Sequence, residues 1–182
     1  MNRAFLRTIL ASVLLGGGFT ALPLQWAAAQ DAGAMQISWE VRNRFRLFRE
    51  ERDFLLHVEW RFTKLDNETR YNSGVFVRNS LDGKIWHQAQ AGLAGGWLFG
   101  VTPVNGAPQR INLRPEMKEN RVKPAGEWNV YDIRCQGKTI SLTVNGAVTS
   151  EFTACEVPKG YIGLEAEGYR IEFRNLKLTV SP

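Results

Sequence analysis

The sequence of 182 residues predicts an all-β protein, an antiparallel β-sandwich. Three observations carry that expectation. First, FLLHVEWRF alternates cleanly, with Leu56, Val58, Trp60 and Phe62 on one side and Leu55, His57, Glu59 and Arg61 on the other. Second, short segments of this kind recur along the chain, separated by turn pairs such as Asp82-Gly83, Gly137-Lys138 and Asn145-Gly146. Third, no stretch sustains a helical period.

The elements follow in order. Residues 1–29 read as a secretory signal peptide: Arg3 and Arg7 give a positive start, ILASVLLGGGFTAL is apolar but short, and Ala27 and Ala29 form a small-residue cleavage pattern. A periplasmic or secreted location is therefore expected, with one domain over residues 30–182. In VRNRFRLFRE, Arg42, Arg44 and Arg46 alternate with Val41, Asn43 and Phe45, as in a strand with one solvated face. NSGVFVRNS and KIWHQAQAG form a hairpin across Asp82-Gly83. GGWLFG continues as a strand, and GLAGGW reads as a tight turn or rim. PVNGAPQRINLRPEMKENRVKPAG reads as one long polar loop with four prolines, the kind that often borders a functional site. EWNVYDIRC, KTISLTVNG and AVTSEF are consecutive strands, and GYIGLEAEG and YRIEFRNLKLTV complete the set.

Composition excludes several classes. The formal charge is +5, but basic residues are mixed with acidic ones and no basic stripe carries interleaved aromatics, so no nucleic-acid partner is expected. After the leader no apolar run is long enough for a membrane-spanning helix, so an integral membrane protein is not expected. Cys135 and Cys155 are the cysteines; export would permit a disulfide, and the sequence leaves pairing open. The two histidines have no zinc-ligand spacing. Carboxylate and amide oxygens would suit calcium or magnesium, which makes a divalent ion the conceivable cofactor.

Side-chain parity then groups the polar strand residues. Trp86, Gln88 and Gln90 share one face of their strand, and His87 points the other way, toward the core or a sheet edge. Glu165 and Glu167 oppose the core residues Ile162, Leu164 and Ala166. Phe76 and Arg78 oppose Val75 and Val77. If these strands were neighbours of the one bearing His57 and Glu59, a single non-core face would carry Glu59, Arg78, Gln88, Gln90 and Glu165, with Trp86 as an aromatic wall. That would suit a sugar. The alternative is an ordinary solvated face with charge pairs across strands, including a pair from Glu59 to Arg78 or Arg61.

DFLLHVEWRF, NSGVFVR, GEWN, a strand ending in NG, GYIGLEAEG and IEFRNLKL, in that order, resemble the 3-keto-disaccharide hydrolase family. The resemblance runs from about Trp39 to Val180 and implies a concanavalin A-like jelly roll. It implies action on glycosides oxidised at C3, so an oxidised carbohydrate is the expected partner. The ketone acidifies the C2 proton; a base removes it, the C1 group is expelled, and water adds. Glu59 matches the acidic position of the first motif. Asn72, Ser73, Gly74 and Arg78 match the second. Gln90 matches the glutamine of a Glu-x-Gln pattern whose carboxylate is Gln88 here. Glu165 stands where many relatives have glutamine. Glu127, Trp128 and Asn129 match GEWN, and Arg174 and Asn175 the last motif. The Phe-Asp-Gly turn that usually opens the family has no counterpart before Trp39. On this resemblance together with the parity reading, Glu59, Arg78 and Glu165 are the expected catalytic residues, with Asn72, Gln88 and Gln90, the aromatic wall Trp86, and His57 on the face of Glu59 binding substrate. A non-catalytic carbohydrate-binding domain and a cell-envelope interaction domain are the alternatives.

Overall fold

The computed structural model describes residues 37–39 and 44–180. The expected leader and its cleavage site, and Arg42, lie outside them. Twelve strands form two antiparallel six-stranded sheets. One sheet has the order β1-β12-β3-β8-β9-β10, with β1 Ile37–Trp39, β3 Phe54–Phe62, β8 Asn129–Gln136, β9 Thr139–Val144, β10 Ala147–Phe152 and β12 Ile171–Val180. The other has the order β2-β11-β4-β5-β6-β7, with β2 Arg44–Glu51, β4 Ser73–Asn79, β5 Trp86–Ala91, β6 Leu98–Val104, β7 Ala107–Asn112 and β11 Gly160–Ala166. The sheets are called back and front below. The all-β sandwich is as the sequence predicts, and a single 3-10 turn, Arg114–Glu116, is the helical element among the described residues.

Strict alternation builds the core. Phe54, Leu56, Val58, Trp60 and Phe62 of β3 are buried, while the residues between them are half-exposed. They meet Tyr131, Ile133 and Cys135 of β8, Ile140, Leu142 and Val144 of β9, and Val75, Val77, Ala89, Ile162 and Leu164 of the front sheet. Each large aliphatic side chain so buried contributes about 2 kcal/mol. Trp60 meets Tyr131 edge-on at 5.3 Å, and Phe62 lies 5.0 Å from Tyr71. Cys135 and Cys155 are buried thiols, and burial pushes the Cys135 thiol up.

The long polar loop is less irregular than its prolines suggest. Asn105 and Gly106, both at positive φ, turn the chain so that β7 pairs with β6 from Phe99↔Asn112 to Val104↔Ala107. Pro103 faces Pro108, so two residues without N–H groups stand opposite each other at an outer strand. Beyond the 3-10 turn, Asn129 and Asn145 hold the loop: Lys123 N–H donates to Asn129 Oδ1 at 2.7 Å, and Asn145 Nδ2 donates to the Arg121 carbonyl at 2.7 Å.

Candidate functional site

β11, β4, β5 and β6 lie side by side in the front sheet, so their outward residues form one face. Glu167 bridges to Asn72, Gly74 pairs with Gln90, Phe76 with Gln88, Gln88 with Phe99, and Trp86 with Val101. The face divides into a polar half and an aromatic half.

In the polar half the amides form a chain. Gln88 Nε2 donates to Glu165 Oε2 at 3.2 Å, to Gln90 Oε1 at 3.4 Å and to the Ser73 carbonyl at 3.3 Å. Gln90 Nε2 donates to Asn72 Oδ1 at 2.6 Å and to the Ala91 carbonyl at 2.9 Å. Asn72 Nδ2 donates to Glu167 Oε2. Gly74 makes room for this: a Cβ there would lie 2.0 Å from Gln88 Nε2. Burial pushes the Glu165 carboxyl up, Glu167 adds to the shift, and the bond from Gln88 opposes it; the group titrates at about 7. The position of β5 is fixed from below, because the Tyr131 hydroxyl crosses the core and donates to the Gln90 carbonyl at 2.6 Å. GLAGGW forms the turn from β5 to β6, where a Cβ on Gly92, at φ 139°, would lie 2.3 Å from the Tyr71 carbonyl oxygen.

In the aromatic half Phe76 and Trp86 are 6.0 Å apart, Trp86 and Phe99 5.1 Å, and Phe99 and Trp97 4.7 Å. Apolar ring surface beside hydrogen-bonding groups matches the two faces of a sugar ring.

The structure thus brings together Asn72, Trp86, Gln88, Gln90 and Glu165, and adds Glu167, Phe99 and Trp97, none of which was assigned a role from sequence. Pairing across β5 and β6 is what unites them, and sequence parity could not supply it. His87 points the other way, as its parity implies: it is buried, its Nε2 lies 3.7 Å from Cys155 Sγ, and burial pushes it down to about 4.

Three expected members, Glu59, His57 and Arg78, are elsewhere, which corrects the single-face expectation. Glu59 and His57 are on β3, in the back sheet. Glu59 accepts from Arg174 Nε at 2.7 Å and from Asn175 Nδ2 at 2.6 Å. Burial pushes its carboxyl up, but those bonds outweigh it and hold the group below the ordinary range. His57 Nδ1 lies 2.7 Å from Asp132 Oδ1. The salt-bridge alternative therefore describes Glu59, with Arg174 in place of Arg78 or Arg61.

Arg78 is fully buried at one end of the sandwich. Its φ of 52° marks a bulge, where β4 spends three steps, Phe76 to Asn79, against two on β11, Gly163 to Tyr161. The bulge turns the guanidinium away from the front face. It donates to the Gly137 carbonyl at 2.6 Å and to Asp53 Oδ1 at 2.9 Å.

Trp128 lies under both Arg174, at 3.7 Å, and Arg61, at 4.6 Å. The motif residues Glu59, Trp128, Arg174 and Asn175 thus tie β12, β3 and the start of β8 together. A nearby open crevice is lined by Glu119, Arg121, Lys123, Asp132 and Asn145. Several of its polar groups are already paired, Arg121 with Glu119 and Asp132 with His57. Among the described residues no three His, Cys, Asp or Glu side chains gather as a metal set, and no helix is long and apolar enough to cross a membrane.

No curated protein matches the sequence. Among solved structures, the carbohydrate-binding module CBM66 from Bacillus subtilis aligns with a TM-score of 0.58 at 14% identity, over 80% of this chain and 94% of that one. A Parabacteroides distasonis ATCC 8503 protein, provisionally called a glycosyl hydrolase, gives 0.58 at 19% identity, over 84% and 89%. Bacillus licheniformis β-glucanase gives 0.50 at 15% identity, over 82% and 79%. These likenesses establish the jelly-roll fold. The sequence itself matches the model of the 3-keto-alpha-glucoside-1,2-lyase-like domain over residues 26–179, and with it a carbohydrate-related role: the chain belongs to that family.

Proposed function

We propose that the protein is an exported hydrolase or lyase of 3-keto-glycosides, with Glu165 as the base on the front face. The observation that carries this reading is the Glu165 carboxyl, half-buried, titrating at about 7, and set at the end of an amide chain beside aromatic rings. A base that titrates near the working pH takes up a proton and returns it with little penalty. The ketone at C3 makes the C2 proton acidic. Glu165 takes it, the electron pair forms the enolate, and its collapse expels the C1 oxygen substituent as an alcohol once that oxygen is protonated. Water then adds to the resulting C1–C2 double bond, with the proton restored at C2. Gln88 holds the carboxyl in place, and Trp86, Phe99 and Trp97 offer apolar surface to the C–H face of a sugar. Glu59 and Arg78 have no part in these steps. Export is read from the leader-like residues 1–29, and mass spectrometry of the secreted protein would find Gln30 at its start.

The test is incubation of purified protein with a 3-keto-disaccharide, followed by NMR, with and without a chelator. Release of the second sugar that is lost in Glu165→Gln and retained in Glu59→Gln supports the reading. Loss in Glu59→Gln with Glu165→Gln active would overturn it. Chelator sensitivity would add a divalent ion.

One observation favours a second reading, a non-catalytic carbohydrate-binding domain. Gln88, an amide, occupies the centre of the polar half, so Glu165 has no carboxylate at that position to work with. Ligand-induced shifts of the Trp86 and Gln90 signals without product would support it.

A further inference from the structure

We propose that Glu167 makes the front face selective for charge, admitting neutral sugars and excluding those that carry a carboxylate or phosphate. The inference rests on the sugar-site reading above and names the class of sugar.

The hydrogen-bond directions carry the argument. Both hydrogens of the Gln90 amide are engaged, on Asn72 Oδ1 and the Ala91 carbonyl. The Gln88 amide nitrogen serves three acceptors, and one Asn72 hydrogen serves Glu167. Donation runs along the amides and ends on the two carboxylates, so the donors point into the protein's own acceptors. The positions these bonds leave unused on Gln88, Glu165 and Glu167 are oxygens, which suits sugar hydroxyls acting as donors. An anion needs the opposite.

Charge points the same way. Glu165 on β11 and Glu167, one residue past its end, are two positions apart, and among the described residues neither is ion-paired to an arginine or lysine. The arginine of the family motif that would supply a cation, Arg78, is at the end of the sandwich on Asp53. A ligand carboxylate placed over the polar half would therefore meet Glu167 with no arginine or lysine paired to it among the described residues. Repulsion between half-screened charges several ångströms apart lowers affinity about tenfold.

The experiment titrates methyl 3-keto-glucoside and methyl 3-keto-glucuronide into the Glu165→Gln protein, where turnover is absent and Glu167 is the remaining carboxylate of the pair. The neutral ligand should bind about tenfold more tightly. In Glu165→Gln/Glu167→Gln the new amide still accepts from Asn72, and the preference should shrink to about twofold or less. Salt gives an independent reading in the Glu165→Gln protein, because screening should narrow the gap between the two ligands. Equal binding by the single variant, or a preference indifferent to both Glu167→Gln and salt, overturns the inference. Binding of neither ligand by wild-type protein overturns the sugar-site reading itself, and the inference falls with it.

Discussion

At Glu165 two effects act on one carboxyl, and they set a pH dependence that can be measured. Burial and Glu167 favour the neutral form, so the group moves from 4.5 to about 7 on folding. Stability from this source is fully present below about pH 4.5 and is lost as pH rises towards 7. Thermal midpoints across that window should therefore fall more for the wild type than for Glu165→Gln. Turnover should run the other way, rising with pH through about 7 as the base is freed, a limb the glutamine variant lacks. Gly74 offers a second residue-scale check. Gly74→Ala puts a methyl group into the Gln88 amide, so ligand affinity should fall about tenfold or more while the far-ultraviolet circular dichroism of the sheet is kept. Trp86, Gln88 and Gln90 could be assigned to one face from sequence because parity in a strand is strict. Arg78 could not, because a single bulge reverses parity and nothing in NSGVFVRNS marks it.

At the scale of elements, β4 and β11 show why the bulge is there. Gly160 lies against the Arg78 backbone, where a Cβ would come within 2.5 Å of the Arg78 carbonyl carbon. The close approach lets the guanidinium pass between the sheets to the turns before β3 and after β8, on Asp53 and Gly137. Asp53→Ala would leave a buried arginine without its counter-charge and should cost about 3 kcal/mol in urea unfolding. Glu59→Gln should cost about 1–2 kcal/mol through the weakened tie of β3 to β12. The strands themselves were largely legible, since alternation and turn pairs mark most of them. β7 was not, because its prolines and polar side chains look like loop, although Asn105-Gly106 is a hairpin signal. Sheet membership was illegible for a different reason. Alternation says that a residue faces outward, but not from which sheet, and that is how Glu59 came to be grouped with Gln88.

For the whole molecule, two sheets give two outward faces with different chemistry. The back face is tied by charge pairs and by arginines over Trp128; the front face gathers amides, two carboxyls and aromatic rings. The connectivity of the sheets has its own consequence. β11 lies between β2 and β4, and β12 between β1 and β3. Until the last two strands exist, each sheet is missing an interior member: β1 and β2 have no partner, and β3 and β4 are left as open edges. Chains ended before Gly160 should therefore stay protease-sensitive and lack a cooperative thermal transition, where the full chain has both protection and a transition. A ribosome-bound nascent polypeptide would thus remain loose and threadable until β11 and β12 have both emerged, and would acquire its shape in one step.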